Sequence, residues 1–142
     1  MSSAIDNKYV IFMLNKEYYG IPIDNVISIE KMLKATRIPN GPNYLKGVIN
    51  LRGEVIPLID LRQKLNMSIK EIDKNTRIIV VNNEDIVAGL IVDSSSEVIE
   101  IDEESIDEVP SSENINLSYI NGIGKTKDRL IILLELSKVL EN

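Results

Sequence analysis

The stretch Tyr44-Leu45-Lys46-Gly47-Val48-Ile49-Asn50-Leu51-Arg52-Gly53-Glu54-Val55-Ile56-Pro57-Leu58-Ile59-Asp60-Leu61-Arg62-Gln63-Lys64-Leu65 holds two apolar, β-branched runs, 47–51 and 55–59, separated by Arg52, Gly53 and Glu54. Runs of this kind suit strands, and a glycine at their connection supplies positive φ without a Cβ clash. The pattern predicts a hairpin. Asp60 then stands where a carboxylate caps the first turn of a helix, with Leu61 and Leu65 four apart on its apolar face. Arg52, at the rim of the hairpin, has little helical or strand reason to be there. Its guanidinium suits bidentate recognition of a partner's carboxylate or carbonyls.

Outward from this stretch the chain continues in short strands. Upstream, 9–14 and 18–23 read as strands joined by the turn Asn15-Lys16-Glu17, with Gly20 as a bulge or point of close backbone approach. Residues 26–32 alternate like a half-exposed strand, 36–38 form a short strand, and Pro39-Asn40-Gly41-Pro42 is a loop. Downstream, the polar stretch 66–75 connects to strands at 76–81 and 86–92, joined by a turn at 82–85. A bend at 93–96, strands at 98–101, 119–125 and 129–134, and a terminal helix at 135–140 complete the reading. Met1 to Asn7 reads as a tail, and the acidic run 102–108 opens a loop through Pro110-Ser111-Ser112.

The two halves resemble each other. Tyr44, Gly47, Asp60, Leu61 and Leu65 are matched by Tyr119, Gly122, Glu135, Leu136 and Leu140, each pair 75 residues apart. Gly20 to Asp24 parallels Gly89 to Asp93 at 69, and Val26-Ile27-Ser28-Ile29 parallels Val98-Ile99-Glu100-Ile101 at 72. The fold expected is all-β with short helices: one domain over 1–142, built as two repeated lobes of about five strands, small closed sheets that leave few edges. The first lobe is expected at about 16–75 with its closing helix at 60–66, and the second at about 76–142; the first strand, 8–15, packs with either. A groove is expected where the lobes meet, the usual place for a binding site.

Composition narrows the function. The chain has no His and no Cys, so imidazole and thiolate chemistry and the common zinc sites are absent, and no enzymatic activity is expected. Its net charge is −6 and its basic residues are scattered, so no basic stripe for nucleic acid exists. No apolar segment reaches the ~18 residues of a bilayer span, and the start, Met1-Ser2-Ser3-Ala4-Ile5-Asp6, does not resemble a signal peptide. A cytoplasmic location is expected. The sequons at Asn66 and Asn116 read as chance.

Gly122-Ile123-Gly124-Lys125-Thr126 resembles the end of a phosphate-binding loop but has Tyr119 where its first glycine belongs, and a strand, not a helix, follows. Asp102-Glu103-Glu104 with Asp107 and Glu108 lacks the central glycine and alternate spacing of a calcium loop and reads as a solvated acidic loop. Val26, Ile27, Val98 and Ile99 have two readings. They are core residues, or one of each pair faces outward and lines an apolar groove, rimmed by Arg52, for a partner's amphipathic helix.

The motif from Lys46 to Arg62, with Tyr19-Gly20-Ile21-Pro22-Ile23, Gly89-Leu90-Ile91-Val92-Asp93 and Tyr119-Ile120-Asn121-Gly122-Ile123-Gly124, resembles the chemotaxis coupling (adaptor) protein CheW family along nearly the whole chain. The resemblance implies two SH3-like β-barrel lobes and a non-catalytic adaptor without cofactors or metal. The implied partners are the cytoplasmic tip of methyl-accepting chemoreceptors and the regulatory domain of the histidine kinase CheA. No nucleic acid and no membrane insertion are implied; the isolated chain is expected as a monomer recruited to receptor arrays at the inner membrane. Carried over by position, Asn50, Leu51, Arg52 and Gly53 match the family motif, and Val26 and Val98 match groove positions, with Ile27 and Ile99 beside them. Ser28 departs from an acid carried there by some members, with Glu30 further on. The kinase-contacting residues are not assigned. The alternative is a module of the same design for a helical partner in a kinase pathway outside chemotaxis.

Overall fold

The computed structural model describes residues 7–109 and 117–141. Within them the order is β1 (Lys8–Leu14), β2 (Glu17–Pro22), β3 (Val26–Lys31), β4 (Leu45–Leu51), β5 (Glu54–Asp60), α1 (Leu61–Lys64), β6 (Arg77–Asn83), β7 (Ile86–Val92), β8 (Ser94–Glu100), β9 (Ile106–Asp107), β10 (Ile120–Lys125), β11 (Leu130–Leu134) and α2 (Leu136–Val139). The fold is all-β with two short helices, as the sequence pattern predicts. The tail at 1–6, the loop residues Pro110, Ser111 and Ser112, and Asn116 lie outside the described residues.

The strands form two sheets, β8-β1-β2-β11-β10-β9 and β3-β6-β7-β5-β4. The second has the expected five strands; the first adds the two-residue β9. The sheets do not divide the chain at 75/76. Each sheet takes one hairpin from one half of the chain and the following strands from the other half, so β1 and β2 sit with β8 to β11, while β6 and β7 sit with β3 to β5. Two parallel pairings make this exchange, β2 with β11 and β5 with β7. They place Gly20 opposite Leu133 and Gly89 opposite Leu58, at matching positions of the repeat. A Cβ at Gly89 would lie 2.8 Å from Ile78 Cγ2, the close approach expected of its counterpart Gly20, where the nearest atoms are at 3.2 Å.

The repeat itself is physical. Asp60 N–H donates to the Tyr44 carbonyl and Glu135 N–H to the Tyr119 carbonyl, both at 2.8 Å. Bulges fall at corresponding sites, between Leu45 and Gly47 and between Ile120 and Gly122. The Asp60 carboxylate caps α1 by accepting from Gln63 N–H at 3.4 Å. One sequence alignment is corrected by the register. Ile79 pairs with Ile29, and its counterpart Val10 pairs with Val98, so Val98 corresponds to Ile29 at an offset of 69, not to Val26 at 72. The counterpart of Val26 is Ser95, because β8 begins at Ser94 where a bend was expected. The expected short strand at 36–38 is reduced to one bridge, Thr36 to Val48.

Strand alternation divides the apolar residues among three clusters. If each sheet is taken as one lobe, Tyr9 and Ile11 pack inside the first lobe, that of the β8-β1-β2-β11-β10-β9 sheet, with Ile101, Ile131 and Leu133. Ile78 and Val80 pack inside the second with Ile49, Ile56, Leu58 and Ile91. The opposite faces, Val10, Phe12 and Leu14 from one sheet and Ile79, Val81, Leu90 and Val92 from the other, meet in the largest cluster, which Leu61, Leu136 and Val139 of the two helices close. Among the described residues no helix is long and apolar enough to cross a membrane.

Gly47 has φ +137°, and a Cβ there would lie 2.2 Å from the Thr36 carbonyl oxygen, whereas Gly53 has φ +87° and open space around it. Gly47→Ala is expected to cost roughly 3 kcal/mol through strain and overpacking, and Gly53→Ala only about 1 kcal/mol from its left-handed backbone. Urea unfolding of both variants measures the difference.

Candidate functional site

Leu51 pairs with Glu54, leaving Arg52 and Gly53 as a two-residue turn in which both φ are positive, +52° and +87°. Two consecutive positive φ values match the twist of a hairpin. The second position is glycine; the first is an arginine in the left-handed region, which ordinary side chains avoid. The Asn50 side-chain carbonyl accepts from Gly53 N–H at 3.0 Å and steadies the turn. Leu51 anchors its base by packing against the lobe interior beside Met32, Ala35 and Val87. The Arg52 side chain projects outward, 71% exposed, with Nη2 3.5 Å from Glu30 Oε2 on β3. An ion pair at such exposure contributes little to stability, so the guanidinium is free to change partners.

The structure splits the four apolar candidates. Val26 lies opposite Val81 and packs partly against the shared core. Ile27 occupies the bulge between Val26 and Ser28 and is 53% exposed. Val98 is 50% exposed, while Ile99 packs partly into the first lobe beside Tyr9. In each pair one residue is packed and the other is open, as strand alternation requires. Ile29, the true counterpart of Val98, is also exposed. From the tip at 50–53 Arg52 reaches Glu30 of β3, a strand at the other end of the same sheet order, whereas Val98 and Ile99 lie on the edge strand β8 of the other sheet. Ile29 and Val98 pair with Ile79 and Val10 of the shared cluster, and both remain exposed. Ser28 sits opposite Val80 on the interior face, and its buried hydroxyl has no hydrogen-bond partner among the described residues. The acid near Arg52 is therefore Glu30.

Sequence reasoning gave no role to Arg62 and Asp93, although both lie in quoted motifs. Arg62 donates from Nε to Asp93 Oδ1 at 2.7 Å and from Nη2 to Oδ2 at 2.8 Å, a two-pronged pair whose side chains are 11% and 16% exposed. Nη1 donates to the Ser68 carbonyl, and Asp93 Oδ2 also accepts from Asn15 N–H at 2.9 Å. Asp93 is the lone residue between β7 and β8, where the chain crosses from one sheet to the other. The pair thus ties α1, the crossover and the β1–β2 turn together. A second tie lies nearby: Lys64 Nζ donates to the Glu141 carbonyl and sits 4.1 Å from the centre of the Tyr44 ring. The available signal was a basic residue one position beyond the buried face of a capped helix.

A cavity of about 640 Å³ adjoins this pair and is lined in part by Met32, Leu58, Arg62, Ile91 and Asp93; none of the predicted site residues lines it. The lysine of the phosphate-loop fragment, Lys125, ends β10 with its ammonium 3.1 Å from Asp107. No group of three acidic side chains among the described residues is arranged to hold a metal.

Burial opposes the charged form of Asp93, but the hydrogen bonds from Arg62 and from the Asn15 amide outweigh it and hold its pKa below the usual carboxylate value. A lowered folded pKa stabilises fully above the unfolded value of about 3.9, and that stabilisation is lost as pH falls through the folded value. Unfolding midpoints measured from neutral to acid pH should show this loss, and Asp93→Asn should remove that part of the pH dependence. At neutral pH, Arg62→Ala should cost roughly 2 kcal/mol by leaving the carboxylate unpaired.

Comparison with known proteins agrees with this geometry. The CheW-like domain family matches residues 8–142. The chain is 43% identical to the chemotaxis protein CheW of Helicobacter pylori, over 99% of this chain and 87% of that protein. It is 41% identical to the CheW of Bacillus subtilis, over 94% of this chain and 86% of that protein. The crystal structure of the scaffolding protein TtCheW from Thermoanaerobacter tengcongensis superposes with a TM-score of 0.90 at 40% identity, covering 97% of this chain and 94% of that one. With both sheets, the repeat and the Arg52 hairpin in place, the chain belongs to the CheW family of chemotaxis scaffold proteins.

Proposed function

We propose that this protein is an adaptor, with no catalysis of its own, that holds the cytoplasmic tip of chemoreceptors and the regulatory domain of the histidine kinase CheA in one assembly. The observation that carries this reading is the exposed Arg52 guanidinium at a hairpin tip, in reach of Glu30 on β3, the strand whose outward-facing residues Ile27 and Ile29 are open. A helical receptor tip offers apolar ridges and carboxylates. Exposed isoleucines take the first, and an arginine with a weak internal partner takes the second. Asn50 and Gly53 shape the turn, Leu51 anchors it, and Val26 supports β3 from beneath. Val98, with Ile99 behind it, extends the apolar surface on β8.

The mechanism is positional. An adaptor transmits receptor state only if it, or the kinase it holds, binds the two states with different free energy. In this reading the isolated chain is a cytoplasmic monomer recruited to receptor arrays at the inner membrane. The absence of His and Cys supports the non-catalytic role, since the commonest acid–base and nucleophilic groups are missing.

Arg52→Glu is expected to keep the fold, because the side chain is exposed, and to weaken binding of a receptor-tip fragment at least about tenfold through like-charge repulsion. Binding of the CheA regulatory domain should be retained. Titration calorimetry against each purified partner measures both arms. Unchanged receptor affinity in a folded variant would remove Arg52 from the site, and failure of the wild-type chain to bind either partner would overturn the adaptor reading.

A further inference from the structure

The dipeptide Asn-Gly occurs twice in the chain, at Asn40-Gly41 in a loop and at Asn121-Gly122 in a strand. Asn40 is exposed, has φ +63° and stands in the loop between β3 and β4. Neither its side chain nor Gly41 N–H makes a hydrogen bond among the described residues. A free backbone N–H next to an asparagine amide is a potential nucleophile, and glycine places no Cβ in its way. Asn121 is exposed as well, but it occupies the bulge of β10, between Ile120 paired with Leu134 and Gly122 paired with Leu133. Gly122 is hemmed in: a Cβ there would lie 2.8 Å from Ile106 Cγ2 and 3.2 Å from the Asp107 carbonyl oxygen.

We propose that Asn40 is a site of spontaneous deamidation in the native protein and that Asn121 is protected by the fold. The Gly41 nitrogen, losing its proton, bonds to Asn40 Cγ, and the bond from Cγ to the side-chain nitrogen breaks. The departing nitrogen leaves as ammonia with the displaced proton, and a cyclic imide remains. Solvent water then opens either carbonyl of the ring, giving aspartate or isoaspartate. No oxidant or reductant is required. The product places a new carboxylate on the wall of a cavity that Arg37 and Lys46 also line, and so changes the charge of that surface. The β3–β4 loop can absorb the extra backbone methylene of isoaspartate. Its base is pinned separately, by Thr36 N–H to the Val48 carbonyl at 2.8 Å and Val48 N–H to the Thr36 carbonyl at 2.9 Å.

The test is peptide mapping by mass spectrometry of the purified full chain, aged at mildly alkaline pH in native buffer and in concentrated urea. In native buffer the peptide bearing Asn40 should gain the mass of one deamidation, with isoaspartate detected by backbone fragmentation, while Asn121 stays intact. In urea Asn121 should convert as well, because the unfolded chain no longer holds Gly122 in place. Gly41→Ala should suppress conversion at 40 without unfolding the chain, since the one tight approach of the added Cβ is to the flexible end of Leu45 at 3.1 Å and its other neighbours stand at 3.9 Å. Equal conversion of both sites in the native protein, or no conversion at 40 while it proceeds in urea, would overturn the proposal.

Discussion

Neither sheet can leave its second apolar face in water. Phe12, Leu14 and Ile21 on one, and Ile79, Val81 and Leu90 on the other, are buried only because the two faces meet. Burying an aliphatic or aromatic side chain of this size contributes about 1.5–3 kcal/mol, so separate lobes would forfeit a large share of the stabilisation available to a domain this small. The shared cluster is therefore the constraint on which the remainder depends. It explains why β1 and β6 are apolar on both faces, and why two helices of four residues each persist. Leu61, Leu136 and Val139 are held by tertiary packing, since segments so short have no stability of their own.

The exchange of hairpins makes the shared core hard to pull apart. The chain crosses between sheets after β2 and again at Asp93, and at the second crossing the Arg62 pair bridges the elements of both lobes. A surface ion pair would contribute little at such a place. This one is largely removed from water and two-pronged, with its remaining oxygen and nitrogen positions bonded to backbone groups, the arrangement in which loss of one partner is costly. Its position away from the Arg52 tip separates two jobs: one arginine holds the lobes in register, while the other is left nearly free at the surface.

That freedom is the physical property the proposed adaptor role needs. A recognition arginine already satisfied by a buried carboxylate would have to break a strong pair to bind anything else. Glu30, reaching Arg52 at 3.5 Å across an exposed surface, orients the guanidinium without committing it. The two-residue turn adds rigidity, so less conformational entropy is lost when a partner is engaged.

Much of this was legible in the chain itself. The hairpin at 47–59, the Asp60 cap and the repeat at 75 residues are local or periodic properties, and the structure realises each of them through backbone geometry that the residues dictate. So was the exposure of Arg52, because a charged residue between two apolar strands has nowhere else to go. Which strands share a sheet was not legible. A strand's pattern records that a face is buried but not against which partner, so the repeat suggested two consecutive lobes where the chain builds two exchanged ones. The one-residue bulges in β3 and β8 lie below the resolution of pattern matching, yet they decide that Val98 answers to Ile29. The pairing of Arg62 with Asp93, 31 residues apart, exists only once the sheets have met. Sequence determined the elements and their chemistry; long-range pairing, which no local propensity encodes, decided which faces meet and which side chains remain in water.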